Sequence, residues 1–235
     1  MAGDDERFQG LFEGGGSAVI AGERRKLVAA KERWARQRRL ITSAPDPERS
    51  RRLPPGQELT DDWPVLDLGT RPLVPLEQWR LTVGGAVERP VAWDWRDFMA
   101  QPQVEVTSDI HCVTQWSRYD NRWTGVAARR LLDIVRPRKT ARHVVFHGHD
   151  GYTTNVRLDQ FAAADVVMAH AWQGQPIPRD HGGPMRPVLP RLYFWKSAKW
   201  VKKIVLREDD LPGFWEVAGY HNYADPWQEQ RYFSD

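Results

Sequence analysis

Ser108-Asp109-Ile110-His111-Cys112-Val113-Thr114-Gln115-Trp116-Ser117-Arg118-Tyr119-Asp120-Asn121-Arg122-Trp123 holds the only cysteine of the 235-residue chain. His111 precedes it directly, and Arg118 and Arg122 follow within ten residues. A thiolate is a soft ligand suited to a transition metal, and neighbouring cations favour the thiolate over the thiol. A lone intracellular cysteine is more ordinarily a small buried hydrophobe. This stretch alone does not choose between the two.

Outward from it, residues 104–108 alternate as the strand that delivers Cys112. Upstream, Trp79-Arg80-Leu81-Thr82-Val83 alternates in the same way and Gly84-Gly85 predicts a turn. Residues 87–95 read as the returning segment, and Asp94-Trp95-Arg96-Asp97-Phe98 as the start of a short helix. Downstream, 127–135 reads as a short amphipathic helix and 142–146 as a buried strand ending at His147-Gly148-His149. A helical turn over 158–163 and a strand over 166–171 follow. The last expected pieces are a proline-bounded extended segment over 184–190 and a strand over 201–206. Short strands, hairpin signals and few long helices predict an α+β domain of mixed β-sheets.

The ends of the chain differ in composition. Residues 1–20 are rich in Gly, Asp and Glu and read as a mobile tail. Residues 21–40 read as a helix, in which eight bases and two acids between Gly22 and Arg39 give a local charge of +6. The formal charge of the whole chain is +3, so the remainder is about −3. Arg24-Arg25-Lys26 is not followed by the apolar run of an export signal. A solvated surface helix is the expected reading, and nucleic acid is not the expected partner. Residues 43–64 are a proline-punctuated lead-in, which places a tail and basic helix in 1–45 and one domain in 46–235. No run of 18 apolar residues exists, and a single cysteine excludes an internal disulfide framework; a cytoplasmic address is expected. Twelve tryptophans exceed what a core this size needs, and some are expected to wall a pocket.

Two constellations carry chemistry. His111, Cys112, His147 and His149 match no zinc-ligand spacing, and no cysteine-hydrolase motif surrounds Cys112. His181-Gly182-Gly183-Pro184-Met185-Arg186, followed after ten residues by Ser197-Ala198-Lys199-Trp200, is more specific. Its glycines allow close backbone approach to a ligand, and Arg, Lys and Ser supply donors suited to a phosphate.

These stretches, with Asp150-Gly151-Tyr152 and Tyr193-Phe194-Trp195-Lys196, resemble the sulfite-oxidase superfamily of molybdopterin oxidoreductases. The resemblance runs from about Arg51 to the end and includes the tail motifs Gly213-Phe214-Trp215-Glu216, Gly219-Tyr220-His221 and Asp225-Pro226-Trp227. It is nearest to short single-domain bacterial members, such as the catalytic subunit of periplasmic methionine-sulfoxide reductase.

The resemblance implies a molybdenum-molybdopterin cofactor (Mo-pyranopterin) whose metal is held by two dithiolene sulfurs and by the Cys112 thiolate. It implies that Asp67, His111, His147, His181, Arg186, Ser197, Ala198 and Lys199 contact the cofactor. Tyr152 falls at a substrate-side tyrosine, and Arg118 is the nearest arginine after the cysteine. The expected activity is oxygen-atom transfer on a sulfite-, sulfoxide- or N-oxide-type small molecule. The chain departs from sulfite oxidases in lacking an arginine-rich segment directly after the cysteine. No haem, iron–sulfur or dinucleotide motif is present, so a separate electron-transfer protein is the expected partner. The alternative is a non-catalytic protein that binds or carries the molybdenum cofactor.

Overall fold

The computed structural model describes residues 51–234. The tail and basic helix expected over 1–45, and the start of the domain expected at 46, lie outside the described residues. Eleven strands and four short helices alternate among those described. The strands are β1 (Glu58–Leu59), β2 (Arg80–Gly85), β3 (Val91–Asp94), β4 (Gln103–His111), β5 (Trp116–Ala127) and β6 (His143–Gly148). They continue as β7 (Thr153–Arg157), β8 (Val167–Trp172), β9 (Gln175–Pro176), β10 (Arg186–Val188) and β11 (Val201–Arg207). The helices are α1 (Trp95–Met99), α2 (Ala128–Val135), α3 (Leu158–Phe161) and α4 (Phe214–Val217).

One sheet runs β1-β5-β8-β10, with β4 also on β5 and β9 on β8; the other runs β3-β2-β11-β6-β7. The fold is α+β with mixed sheets, because β1 joins β5 and β2 joins β11 in parallel while the other pairs are antiparallel.

The β4–β5 hairpin makes the site possible. Its register runs from Gln103↔Val126 to His111↔Ser117, with an irregularity between Ser108 and Ile110. Cys112 N–H donates to Trp116 O at 2.8 Å and Gln115 N–H to Cys112 O at 3.0 Å. Gln115 takes a positive φ of 68°, which closes the turn. Cys112 therefore sits at a hairpin tip fixed by backbone hydrogen bonds rather than in a long loop.

The sequence reading ends β4 at Ser108 and gives no strand over 116–127. The polar residues of β5 hide its alternation. Trp116, Tyr119 and Trp123 are buried together with Ser117 and Asn121, whereas Asp120 and Arg122 are exposed. Asn121 is tolerated in the core because its amide is paired. Its Nδ2 donates to Arg118 O at 2.8 Å, and its Oδ1 accepts from Trp172 Nε1 at 3.1 Å. β7 (Thr-Thr-Asn-Val-Arg) is hidden for the same reason. Gly84 and Gly85 remain within β2, and the chain turns after them. A Cβ on Gly85 would stand 2.2 Å from Leu206 O, so the glycine permits close approach of β11.

Asp94 caps α1: its side chain accepts from Asp97 N–H at 2.9 Å, and the Asp97 carboxylate accepts in return from Asp94 N–H. The helix buries Phe98, with ring centroids 5.4 Å from Trp79 and 6.2 Å from His170. Phe98→Ala is expected to cost about 3–5 kcal/mol in urea denaturation. A loss below about 1 kcal/mol would show that this aromatic cluster is not part of the core.

Candidate functional site

Cys112 is buried, and its Sγ accepts from the Thr114 hydroxyl at 3.1 Å. Gln57, beside β1, holds the same turn. Its Nε2 donates to Cys112 O at 3.2 Å, and its Oε1 accepts from Ser117 Oγ at 3.2 Å. His111 continues the chain of contacts through Nδ1 to Ser117 Oγ at 2.8 Å. Burial pushes His111 down to about 4, so its ring is neutral at pH 7.

The second cluster forms where the turn Arg179–His181 and β10 meet the loop between Tyr193 and β11. Arg186 is 2% exposed. It donates to His181 O at 2.8 Å and to Ser197 O, and its Nε has no partner. The guanidinium lies 4.2 Å from the Phe194 ring centroid. Burial pushes Arg186 down to about 9. A buried cation held by carbonyls, with no ion-pair partner among the described residues, lacks a countercharge. An anionic ligand would supply one.

His181 stacks on Trp63 with ring centroids 3.8 Å apart, and its Nδ1 is buried without a partner. Glycines then bring two loops together. A Cβ on Gly182, whose φ is +100°, would stand 2.9 Å from Lys199 Cα, and one on Gly183 would stand 2.1 Å from Ile177 O. Trp200 N–H donates to Gly182 O at 3.2 Å, and Lys199 Nζ to Asp180 O at 2.5 Å. Ser197 Oγ accepts from Leu189 N–H at 3.0 Å, with Ala198 buried beside it. The end of β6 closes on the same place: a Cβ on Gly148 would stand 2.9 Å from Lys199 O.

The remaining expected residues are placed less uniformly. The Tyr152 hydroxyl donates to Trp195 O at 2.7 Å. Burial, and then Glu216, raise the Tyr152 phenol well above its usual value, so it keeps its proton. Tyr193, at the start of that loop, is pushed up to about 12, chiefly by burial, and feels the Cys112 sulfur. Arg118 bonds Asn121 Oδ1 at 2.5 Å and lies 4.8 Å over the Trp172 ring, which stands 4.7 Å from Trp63. Arg122 instead pairs with Glu105. Burial acts to raise Asp67, but Arg71 and the Gly69 N–H outweigh it, and the carboxyl lies below its usual range; Lys199 adds to this. His147 is half-buried and pushed down to about 4 by burial, then by Lys203. His111 lines a groove of about 990 Å³ that none of the other expected site residues lines. Among the described residues no three His, Cys, Asp or Glu side chains gather to hold a metal ion.

Trp63, Gln57 and Thr114 were not singled out as site residues from sequence. The surplus of tryptophan is the only signal for Trp63, and it does not give the position.

His181 and His147 both resist protonation when folded, so each unfolded side chain binds a proton at a higher pH than the folded one. Their contribution is therefore present above about pH 6.5 and is lost as pH falls toward 4. After discounting for partial exposure, each is expected to remove on the order of 1 kcal/mol by pH 5. Urea midpoints measured at pH 7 and 5 check this, and His181→Asn should flatten the dependence.

The mixed sheets thus bring a buried thiol at a hairpin tip and a buried guanidinium without an ion-pair partner among the described residues into one domain. The chain belongs to the family described as the oxidoreductase molybdopterin binding domain, whose model matches residues 68–215. It is 43% identical over 189 residues to the uncharacterized oxidoreductase YuiH of Bacillus subtilis, covering 80% of this chain and 96% of that protein. It is 27% identical to the protein-methionine-sulfoxide reductase catalytic subunit MsrP of Ralstonia nicotianae, over 62% of this chain and 49% of that one. The sulfane dehydrogenase SoxCD of Paracoccus pantotrophus shares the fold, with a TM-score of 0.53 and 19% identity over 59% of this chain and 40% of that one. No helix among the described residues is long and apolar enough to cross a membrane.

Proposed function

We propose that this oxidoreductase binds a molybdenum-molybdopterin cofactor through Cys112 and the His181–Lys199 cradle, and transfers an oxygen atom to or from a small sulfite-, sulfoxide- or N-oxide-type substrate. The observation that carries the reading is Arg186, a buried guanidinium with carbonyl partners and a free Nε. The residues fit the group. Cys112 offers one soft donor, Arg186 and Lys199 offer charge to a phosphate, and unpartnered His181 Nδ1 offers a hydrogen-bonding atom to a pterin. When bound, the cofactor supplies two-electron chemistry by cycling molybdenum between Mo(VI) and Mo(IV).

The chain's own part is placement. Thr114 donates to the Cys112 sulfur, which fixes the side chain and moderates its electron donation. Tyr152, kept protonated, ties the cradle loop to the loop before β7 through Trp195 O. In this reading Tyr152 acts on the site through that loop, while Arg118 is the cation available to steer an anionic or dipolar substrate. Asp67, His111 and His147 are assigned cofactor contacts, and His111 also lines the groove that no other assigned residue lines. The MsrP relative supports a sulfoxide as the first substrate to try, and its name as a catalytic subunit supports exchange of electrons with a separate protein.

The test is metal analysis of the purified protein, followed by dye-linked assays on sulfite, sulfoxides and N-oxides. Molybdenum near one atom per chain with turnover on one of these classes is the expected result. A chain that holds molybdenum but turns over none of them, and yields its cofactor intact to an apo-oxidoreductase, would instead be a carrier.

A further inference from the structure

The cradle loop between Tyr193 and β11 carries a second lysine, Lys196, whose ammonium bonds other partners than Arg186 and Lys199 do. Its side chain is 0% exposed and lies 2.6 Å from Glu216 on α4, itself 2% exposed. The ammonium also donates to Asn155 O at 2.8 Å and to Asn155 Oδ1 at 3.1 Å. Glu216 Oε1 accepts in addition from Thr154 Oγ1 at 2.8 Å and from Trp195 Nε1 at 3.0 Å. Two neighbouring loop residues, Trp195 and Lys196, are thus bound to one carboxylate, and Trp195 O is the atom that Tyr152 holds. The other end of the loop is fixed independently through Ser197 and Trp200, to Leu189 and to the Arg179–Gly182 turn.

Burying two opposite charges is a poor way to stabilise a core, because desolvation cancels much of their attraction and an apolar pair of similar volume commonly does as well. Here both charges also carry directed hydrogen bonds, which an apolar pair cannot supply. Such bonds fix orientation, and the residues they orient are the immediate neighbours of Ser197, Ala198 and Lys199. We infer that Lys196 and Glu216 are a positioning pair, which sets the conformation of the cradle loop and so the firmness with which the anionic cofactor is held. They do this without touching it. The inference rests on the proposed cofactor site and adds residues to it.

The pair separates loop geometry from stability, and that is how it can be tested. Lys196→Met with Glu216→Leu removes both charges together, so no unpaired charge is left buried. In the full-length protein this double variant is expected to unfold at a temperature within a few degrees of the parent. Its rate of molybdenum loss on dialysis should nevertheless rise at least tenfold. Glu216→Gln keeps the shape and the Oε1 acceptor for Trp195, Thr154 and Lys196 but removes the countercharge of Lys196. It should therefore unfold at a lower temperature than the parent and lose molybdenum faster, by less than the double variant. It is the second measurement should the double variant not fold. A double variant that folds and retains molybdenum as firmly as the parent overturns the inference, as does a Glu216→Gln protein indistinguishable from the parent in retention. If the parent itself carries no molybdenum, the cofactor reading fails instead. The two failures are therefore distinct.

Discussion

Cys112→Ser is expected to lower turnover per bound molybdenum at least roughly a hundredfold, about 2.7 kcal/mol in barrier. The swap replaces a soft, electron-donating thiolate with a hard hydroxyl oxygen that stays protonated at neutral pH. Cofactor content should persist, because the donors of the cradle are untouched. The fold should persist too: the hairpin tip is held by Cys112 N–H and O, and the substitution leaves both in place. A cysteine that were only a small buried hydrophobe would behave differently. Serine would then cost about 1–3 kcal/mol of stability for hiding a hydroxyl poorly, and activity per folded molecule would survive. The measurements are turnover per molybdenum and the sulfur count around the metal by X-ray absorption. An unchanged value of either would remove Cys112 from the metal.

Arg186→Ala should have the second largest effect, on retention rather than on turnover. A phosphate that loses a charge-assisted hydrogen bond loses roughly 1.5–3 kcal/mol, or about ten- to 150-fold in affinity. Lys199→Ala should weaken binding less, because a guanidinium can hold two phosphate oxygens and an ammonium is a single point charge. The structure sharpens the contrast. Arg186 is fully buried with an uncommitted Nε, whereas the Lys199 ammonium already donates to Asp180 O. Without cofactor, Arg186 is a buried charge lacking a countercharge, which offsets part of what its bonds to His181 O and Ser197 O contribute, so removing it should not unfold the apo-protein. Molybdenum content after dialysis, alongside the unfolding midpoint of the apo-form, checks both halves. Full occupancy in both variants would mean that the anion is held elsewhere.

Much of the fold is legible in the sequence wherever the local pattern and the tertiary demand agree. The strands β6, β8 and β11 are apolar runs, and they fall close to where hydrophobicity alone puts them. The start of α1 is marked by Asp94 and Asp97, whose carboxylates satisfy backbone N–H groups a few residues away. β5 and β7 are not legible. Their buried positions include Ser117, Asn121, Thr154 and Asn155, and nothing local says that partners from distant segments will pair these polar groups. Gly84-Gly85 misleads in part: both glycines still belong to β2, where Gly85 serves close approach of β11, and the chain turns only after them.

The sequence by itself determined the chemical inventory: one thiol, a Gly-Gly-Pro-Met-Arg segment, and a Ser-Ala-Lys segment ten residues beyond it. These are local facts of residue type and spacing, and the family follows from their order along the chain. Only the tertiary structure decided what each side chain faces. It set Arg186 among carbonyls without a countercharge and stacked His181 on Trp63, 118 positions away in number. It placed His111 on a groove that no other expected site residue lines, and buried Lys196 against Glu216. Each of these depends on desolvation and on partners brought in by other strands. Periodicity along one segment carries no record of them.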